Sequence, residues 1–128
     1  MFSKCTNPKK QGEIGLALAI AYFTKVGYIV SIPLCDNQDY DLIVDNGTLS
    51  KVQVKTTKYK SKYNNYIVAL RTCGGNSSRT TRKMFDNSLT DLVFIVTNSG
   101  EQYLIPSKHI CSVNSISLSS DKTKYLVK

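Results

Sequence analysis

The stretch YDLIVDNGTLSKVQVKTT, residues 40–57, constrains the fold more than any other part of the chain. Two alternating β-branched runs flank Asn46-Gly47, so the backbone must reverse there as an antiparallel hairpin. Its strands carry Asp41, Gln53 and Lys55, polar groups that a small core does not need. Alternation places Lys51, Gln53, Lys55 and Thr57 on one face and Val52, Val54 and Thr56 on the other. Where Asp41 points depends on the turn. A two-residue Asn46-Gly47 turn would set it opposite Val52, on the wrong face for a joint site. A three-residue loop, Asp45-Asn46-Gly47 with Gly47 left-handed, sets it opposite Lys51 and onto the face of Gln53 and Lys55. We expect the three-residue loop.

Around this hairpin the other elements can be placed. Asn7-Pro8 reads as a helix start, and Gly27 as the left-handed residue that closes a helix running to about Val26. Ile14, Ala17, Leu18, Ala21 and Tyr22 fall at the spacing of a buried stripe, with Glu13 at its edge and drawn against the sheet. Strands are expected at 28–32, 41–44, 50–57, 66–71, 91–97 and 102–105, with a short one at 125–127 ending a Ser-rich tail. TCGGNSSRTTRK, residues 72–83, reads as a mobile loop ordered by a ligand. One helix followed by strands gives an α/β (α+β) class, with helices packed on a mixed sheet, and 128 residues suit a single domain.

Charge narrows the function. The net +8 arises wholly from residues 51–83, where Lys51, Lys55, Lys58, Lys60, Lys62, Arg71, Arg79, Arg82 and Lys83 face no acid. Such a concentration suits a polyanion, although a solvated face can look the same. The longest apolar stretch, residues 14–26, is broken by Thr24 and Lys25 and falls short of a membrane span. Residues 1–10 are polar and show no secretory signal, so a cytoplasmic location is expected. Cys5, Cys35, Cys73 and Cys111 lie far apart, and with His109 as the only histidine they make no zinc motif.

On the expected register a carboxylate, an amide and an ammonium converge beneath the edge of a helix that contributes Glu13. That set suits phosphodiester hydrolysis: hard oxygen ligands for Mg²⁺, plus a lysine to position water and offset developing charge. Taken singly, Glu13 could be a surface residue, Asp41 a turn acid and Lys55 edge protection. The spacing ties them together. A helical Glu, an Asp opening a strand, and Q-V-K twelve to fourteen residues later resembles the PD-(D/E)xK nuclease superfamily.

The flanking segments GEIGLALAIAYFTKVGYIVSIPLCDNQDYDLIVDNGTLSKVQVKTT, YIVALRTCGGN, DLVFIVT and YLIPS narrow this to small endonucleases resembling the group I intron-encoded homing enzymes. The resemblance implies a restriction-endonuclease-like core in the order α-β-β-β and then further strands. It implies Mg²⁺, with Mn²⁺ as a substitute, held by Glu13, Asp41 and the Val54 carbonyl, with Lys55 as catalytic lysine. Gln53 departs from the superfamily's usual acid, which this branch resembles in replacing by Gln. Asp39 could reach the same metal. The implied activity is a site-specific, Mg²⁺-dependent double-stranded DNA endonuclease acting as a homo-oligomer, a dimer or tetramer. Lys58, Lys60 and Lys62, interleaved with Tyr59 and Tyr63, would grip phosphates together with Arg71, Arg79, Arg82 and Lys83. Alternatives are a non-catalytic nucleic-acid-binding module on the same fold, a Holliday junction resolvase, or a restriction-type enzyme.

Overall fold

The structure, a computed structural model, describes residues 1–35, 37–76 and 79–127, and the side chains of residues 72–82 lie outside the description. Helix α1 spans Pro8–Lys25. Asn7 caps it as its sequence suggests, its side-chain oxygen accepting from the Lys10 amide at 2.8 Å. Gly27, at φ +94°, ends it. The Gly27 and Tyr28 amides fold back onto the Thr24 and Phe23 carbonyls at 3.1 and 2.9 Å, satisfying acceptors that the helix leaves open.

Ten strands follow among the described residues: β1 Ile29–Ser31, β2 Leu42–Asp45, β3 Leu49–Thr57, β4 Ile67–Ala69, β5 Thr72–Asn76, β6 Arg79–Lys83, β7 Leu92–Thr97, β8 Gln102–Pro106, β9 Ser115–Ser117 and β10 Leu126–Val127. Six of them form the main sheet, in the order β1-β2-β3-β7-β8-β10. Every neighbouring pair is antiparallel except β3 and β7, which run parallel from Val52↔Leu92 to Thr57↔Thr97. A parallel pair needs a long crossover, normally a helix. Here residues 58–91 make it with β4, β5 and β6, and α1 is the only α-helix among the described residues, packed on the mixed sheet.

The two faces of the main sheet carry separate cores. Helix α1 covers one, where Ala19, Phe23, Leu42, Val44, Val52, Phe94 and Val96 are buried. The second core joins Val93, Ile95, Tyr103 and Ile105 of the sheet to Val68, Leu70, Phe85 and Ile116 of the crossover and tail. Removing each such side chain from water contributes roughly 1.5–3 kcal/mol before the entropy of ordering is set against it.

The buried line of α1 is Gly15, Ala19 and Phe23, whereas Ala17 and Ala21 are exposed. The helix is therefore turned from the stripe expected from its apolar residues. Gly15 fixes that rotation: a Cβ there would run into the Thr56 Cγ2 methyl of β3. The expected mobile loop at 72–83 is instead the ribbon β5–β6, paired from Thr72↔Lys83 to Asn76↔Arg79, an arrangement that its threonines favour. The tail also holds more structure than its sequence suggests, since besides the short edge strand β10 it contributes β9, which pairs with β4.

Candidate active site

Strands β2 and β3 pair through Leu42↔Val52, Ile43↔Lys51, Val44↔Ser50 and Asp45↔Leu49. Their loop has three residues, as expected, but they are Asn46, Gly47 and Thr48, one position later than the sequence suggested. The Asp45 carboxylate accepts from the Gly47 amide at 2.8 Å, an Asx turn that keeps Asp45 in the strand, and Gly47 takes φ +106°. This shift corrects the expected partner of Asp41. The paired register ends at Leu42↔Val52, and the Asp41 amide donates to the Val52 carbonyl at 2.8 Å, so Asp41 stands at the end of the ladder and not opposite Lys51. Its carboxylate lies close enough to Lys55 to feel that charge.

Strand β2 starts at Leu42, so beyond that point β3 loses its ladder partner. The Asp41 side chain takes the ladder's place, its Oδ2 accepting the Val54 amide at 2.8 Å. The amide and carbonyl of one strand residue point to the same side, so the Val54 carbonyl faces the same edge. Burial raises the Asp41 carboxyl above the usual range, opposed by the Val54 amide and by the charge of Lys55. The residue still reaches solvent, but the strand ends around its carboxylate remove enough water for desolvation to dominate.

Gln53 is buried at 8% exposure, beside Val93 of β7, while Lys55 lies beside Ile95. Asp39 and Gln53 line one small hollow floored by Leu70, Phe85 and Leu89. The Asp39 carboxylate is held by the Lys83 ammonium at 2.7 Å, which ties the end of β6 to the loop before β2. The register of β3 against β7 is fixed by an acid that sequence reasoning missed: Asp91 Oδ2 accepts the Lys51 amide at 2.8 Å, and the Asp91 amide donates to the Lys51 carbonyl at 2.9 Å. Neither link leaves a local signal, because the partners are 44 and 40 residues apart.

Glu13 does not lie against the sheet. It projects into solvent with 60% of its side chain exposed, 3.9 Å from Lys10. At about 100° per residue, a position two before Gly15 points away from the face that Gly15 buries. Among the described residues no three His, Cys, Asp or Glu side chains gather closely enough to hold a metal ion. The available donors are nonetheless hard oxygens, namely the Asp41 carboxylate, the Val54 carbonyl and the Gln53 amide. They suit a cation such as Mg²⁺, which keeps much of its water and needs only one or two carboxylates.

Lys58, Lys60, Lys62 and Arg71 are exposed. Lys60 and Lys62 sit over the rings of Tyr66 and Tyr63, at 4.8 and 5.1 Å. Lys83 is exposed but engaged by Asp39, while the Arg79 and Arg82 side chains lie outside the described residues. No described helix is long and apolar enough to cross a membrane.

The family profile described as PD-(D/E)XK endonuclease matches residues 6–124, nearly the whole chain. The chain belongs to the PD-(D/E)XK endonucleases. Its fold is similar to that of the bacterial homing endonuclease I-Ssp6803I, with TM-score 0.77 and 29% identity over 94% of this chain and 88% of that one. No curated protein sequence matches the chain. Both likenesses support the restriction-endonuclease-like architecture of one helix on a mixed sheet and identify the chain as a nuclease. As a PD-(D/E)XK endonuclease it ends the Q-V-K run of β3 on Lys55, with Gln53 two residues before, where the family's name places an acid.

Proposed function

We propose that this endonuclease is a Mg²⁺-dependent, site-specific enzyme that hydrolyses phosphodiester bonds of double-stranded DNA, as a homing-type nuclease does. The observation that carries the reading is the Asp41 carboxylate at the open end of the β2–β3 ladder, bonded to the Val54 amide and close to Lys55, whose face of β3 Gln53 shares. Asp41 and the Val54 carbonyl would hold the ion, which when bound supplies Lewis-acid stabilisation to the scissile phosphate. Lys55 would present its ammonium to the attacking water and to the phosphate oxygens on which charge builds. Gln53 would orient water with its amide and, being neutral, adds a weak ligand and no base. Glu13 is proposed as the helical acid of this site, which requires its side chain to leave the Lys10 contact. Mn²⁺ would substitute for Mg²⁺.

Lys58, Lys60, Lys62, Arg71, Arg79, Arg82 and Lys83 would neutralise phosphates, since all the net charge lies in their segment. Cutting both strands at one site calls for two symmetry-related copies, so the acting form is a homo-oligomer, a dimer or tetramer. Ile29 and Leu49, 68% and 69% exposed and flanking Asp45 in one row of the sheet, offer apolar surface for it.

The test is cleavage of a randomised duplex library with Mg²⁺ and with EDTA, followed by sequencing of the ends. The reading expects cuts only with the metal and a shared sequence around them. A protein that retards duplex DNA without cutting it at any Mg²⁺ or Mn²⁺ concentration would instead be a binding module on a nuclease fold, the reading favoured by the solvent position of Glu13. Resolvase and restriction-type activities would appear as preference for branched junctions or for short palindromes.

A further inference from the structure

Directly after β3 the chain runs out as a narrow arm and returns into β4. Its rungs are the Ile67 amide on the Tyr59 carbonyl at 3.0 Å, the bridge Lys60↔Tyr66, and the Ser61 amide on the Asn65 carbonyl at 2.9 Å. The arm ends in the three-residue loop Lys62-Tyr63-Asn64. A turn closed by the Asn64 amide on the Ser61 carbonyl at 2.9 Å is followed by Asn64 at φ 64°. The Ser61 hydroxyl oxygen accepts the Tyr63 amide at 3.2 Å, fixing the tip further. At about 3.3 Å per strand residue, the tip stands on the order of 10 Å beyond the Tyr59–Ile67 rung.

These bonds hold the backbone of the tip, while among the described residues its side chains meet only each other, the Lys62 ammonium over the Tyr63 ring at 5.1 Å. Tyr63 is 74% exposed, and neither its hydroxyl nor the Asn64 side-chain amide is bonded by another described residue. Asn64 is the one non-glycine residue in the left-handed region among the described residues, so its amide is aimed outward by a conformation that few side chains tolerate. The arm's sides carry the other chemistry, Lys58, Lys60 and Lys62, whose ammonium groups suit a phosphate backbone.

We infer that Tyr63 and Asn64 form a base-reading tip that enters a groove of the DNA duplex while the flanking lysines hold its phosphates. The inference rests on the proposed endonuclease activity and names the residues that give it sequence preference. Asn64 presents a donor and an acceptor side by side, the pattern that adenine offers through N7 and N6 in the major groove. Tyr63 adds a ring and a hydroxyl at the same depth. The arm begins two residues past the end of β3 at Thr57 and is tied back there by the Tyr59–Ile67 rung and by the Thr57 hydroxyl on the Ile67 carbonyl at 2.5 Å, which sets its tip relative to Lys55. A base read there is held at a constant offset from the bond that is cut.

The experiment compares Mg²⁺-dependent cleavage of a randomised duplex library by the wild type, Asn64→Gly, Tyr63→Ala and Lys62→Ala, each checked for an unchanged melting temperature. Glycine keeps the left-handed turn and removes only the amide. Asn64→Gly and Tyr63→Ala should cut with discrimination reduced on the order of 10-fold at one or two positions, at a constant distance from the cut, and unaltered elsewhere. Lys62→Ala should weaken binding at all sequences alike and lower the salt slope by about one. Unchanged sequence profiles for both tip variants, beside a selective wild type, would overturn the tip while leaving the nuclease reading intact. A wild type that cuts no duplex would overturn the nuclease reading itself, and the tip with it.

Discussion

The Val54 amide donates to the Asp41 carboxylate across 2.8 Å, at the point where β2 has ended and β3 continues alone. A side chain thus replaces a missing backbone acceptor, and a carboxylate is drawn to the sheet edge where desolvation raises its pKa. The consequence for stability follows from the sign. A raised carboxyl binds its proton more tightly in the folded state, so stability is lost as pH climbs through the window between the ordinary aspartate value and the raised one. Asp41→Asn should therefore melt higher than the wild type near neutral pH without metal, since Asn can still accept from Val54. The difference should shrink as pH falls and vanish about one unit below the ordinary aspartate value of about 3.9, where both states are protonated. Thermal melts against pH check this; an Asn variant less stable at pH 7 would contradict it.

Metal should reverse that order. A ligand that binds only the folded state raises the melting temperature in proportion to its affinity. Mg²⁺ or Mn²⁺ is expected to raise the midpoint of the wild type and leave Asp41→Asn unmoved, and melts across a metal titration decide it.

Gly15→Ala sets two effects against each other. Helix propensity favours alanine by about 1 kcal/mol, but the added methyl meets the Thr56 side chain of β3, and overpacking of this kind costs roughly 1–3 kcal/mol. The clash should win, lowering stability in denaturant unfolding. Adding Thr56→Ser, which removes the obstructing methyl, should restore part of the loss.

The Asp39–Lys83 pair is close but exposed, with 38% and 53% of the two side chains in solvent. A double-mutant cycle over Asp39→Asn and Lys83→Met should yield a coupling of at most about 1 kcal/mol, shrinking with salt. A larger, salt-insensitive coupling would show that the pair holds the β5–β6 ribbon in place.

Much of this molecule could be read from local chemistry. Asn7, Pro8 and Gly27 mark the helix ends because capping needs only neighbours, and Asn46-Gly47 marks the hairpin for the same reason. The three-residue length of the loop is legible too, while its bounds shift by one because the Gly47 amide keeps Asp45 in the strand. What the sequence hides is tertiary. The rotation of α1 is set by Gly15 meeting Thr56, 41 positions away, and it carries Glu13 out into solvent. The β5–β6 ribbon reads as loop because its small polar residues give no alternation of apolar side chains, yet its backbone pairs regularly.

The most direct test of the central claim separates cutting from holding. Wild type, Asp41→Asn and Lys55→Met are assayed for Mg²⁺-dependent cleavage of a selected duplex and, with Ca²⁺ in place of Mg²⁺, for binding to it. The account predicts that either substitution lowers cleavage by a factor of at least about 10³ while binding changes by less than about tenfold. Cleavage retained by either variant at near wild-type rate would contradict it.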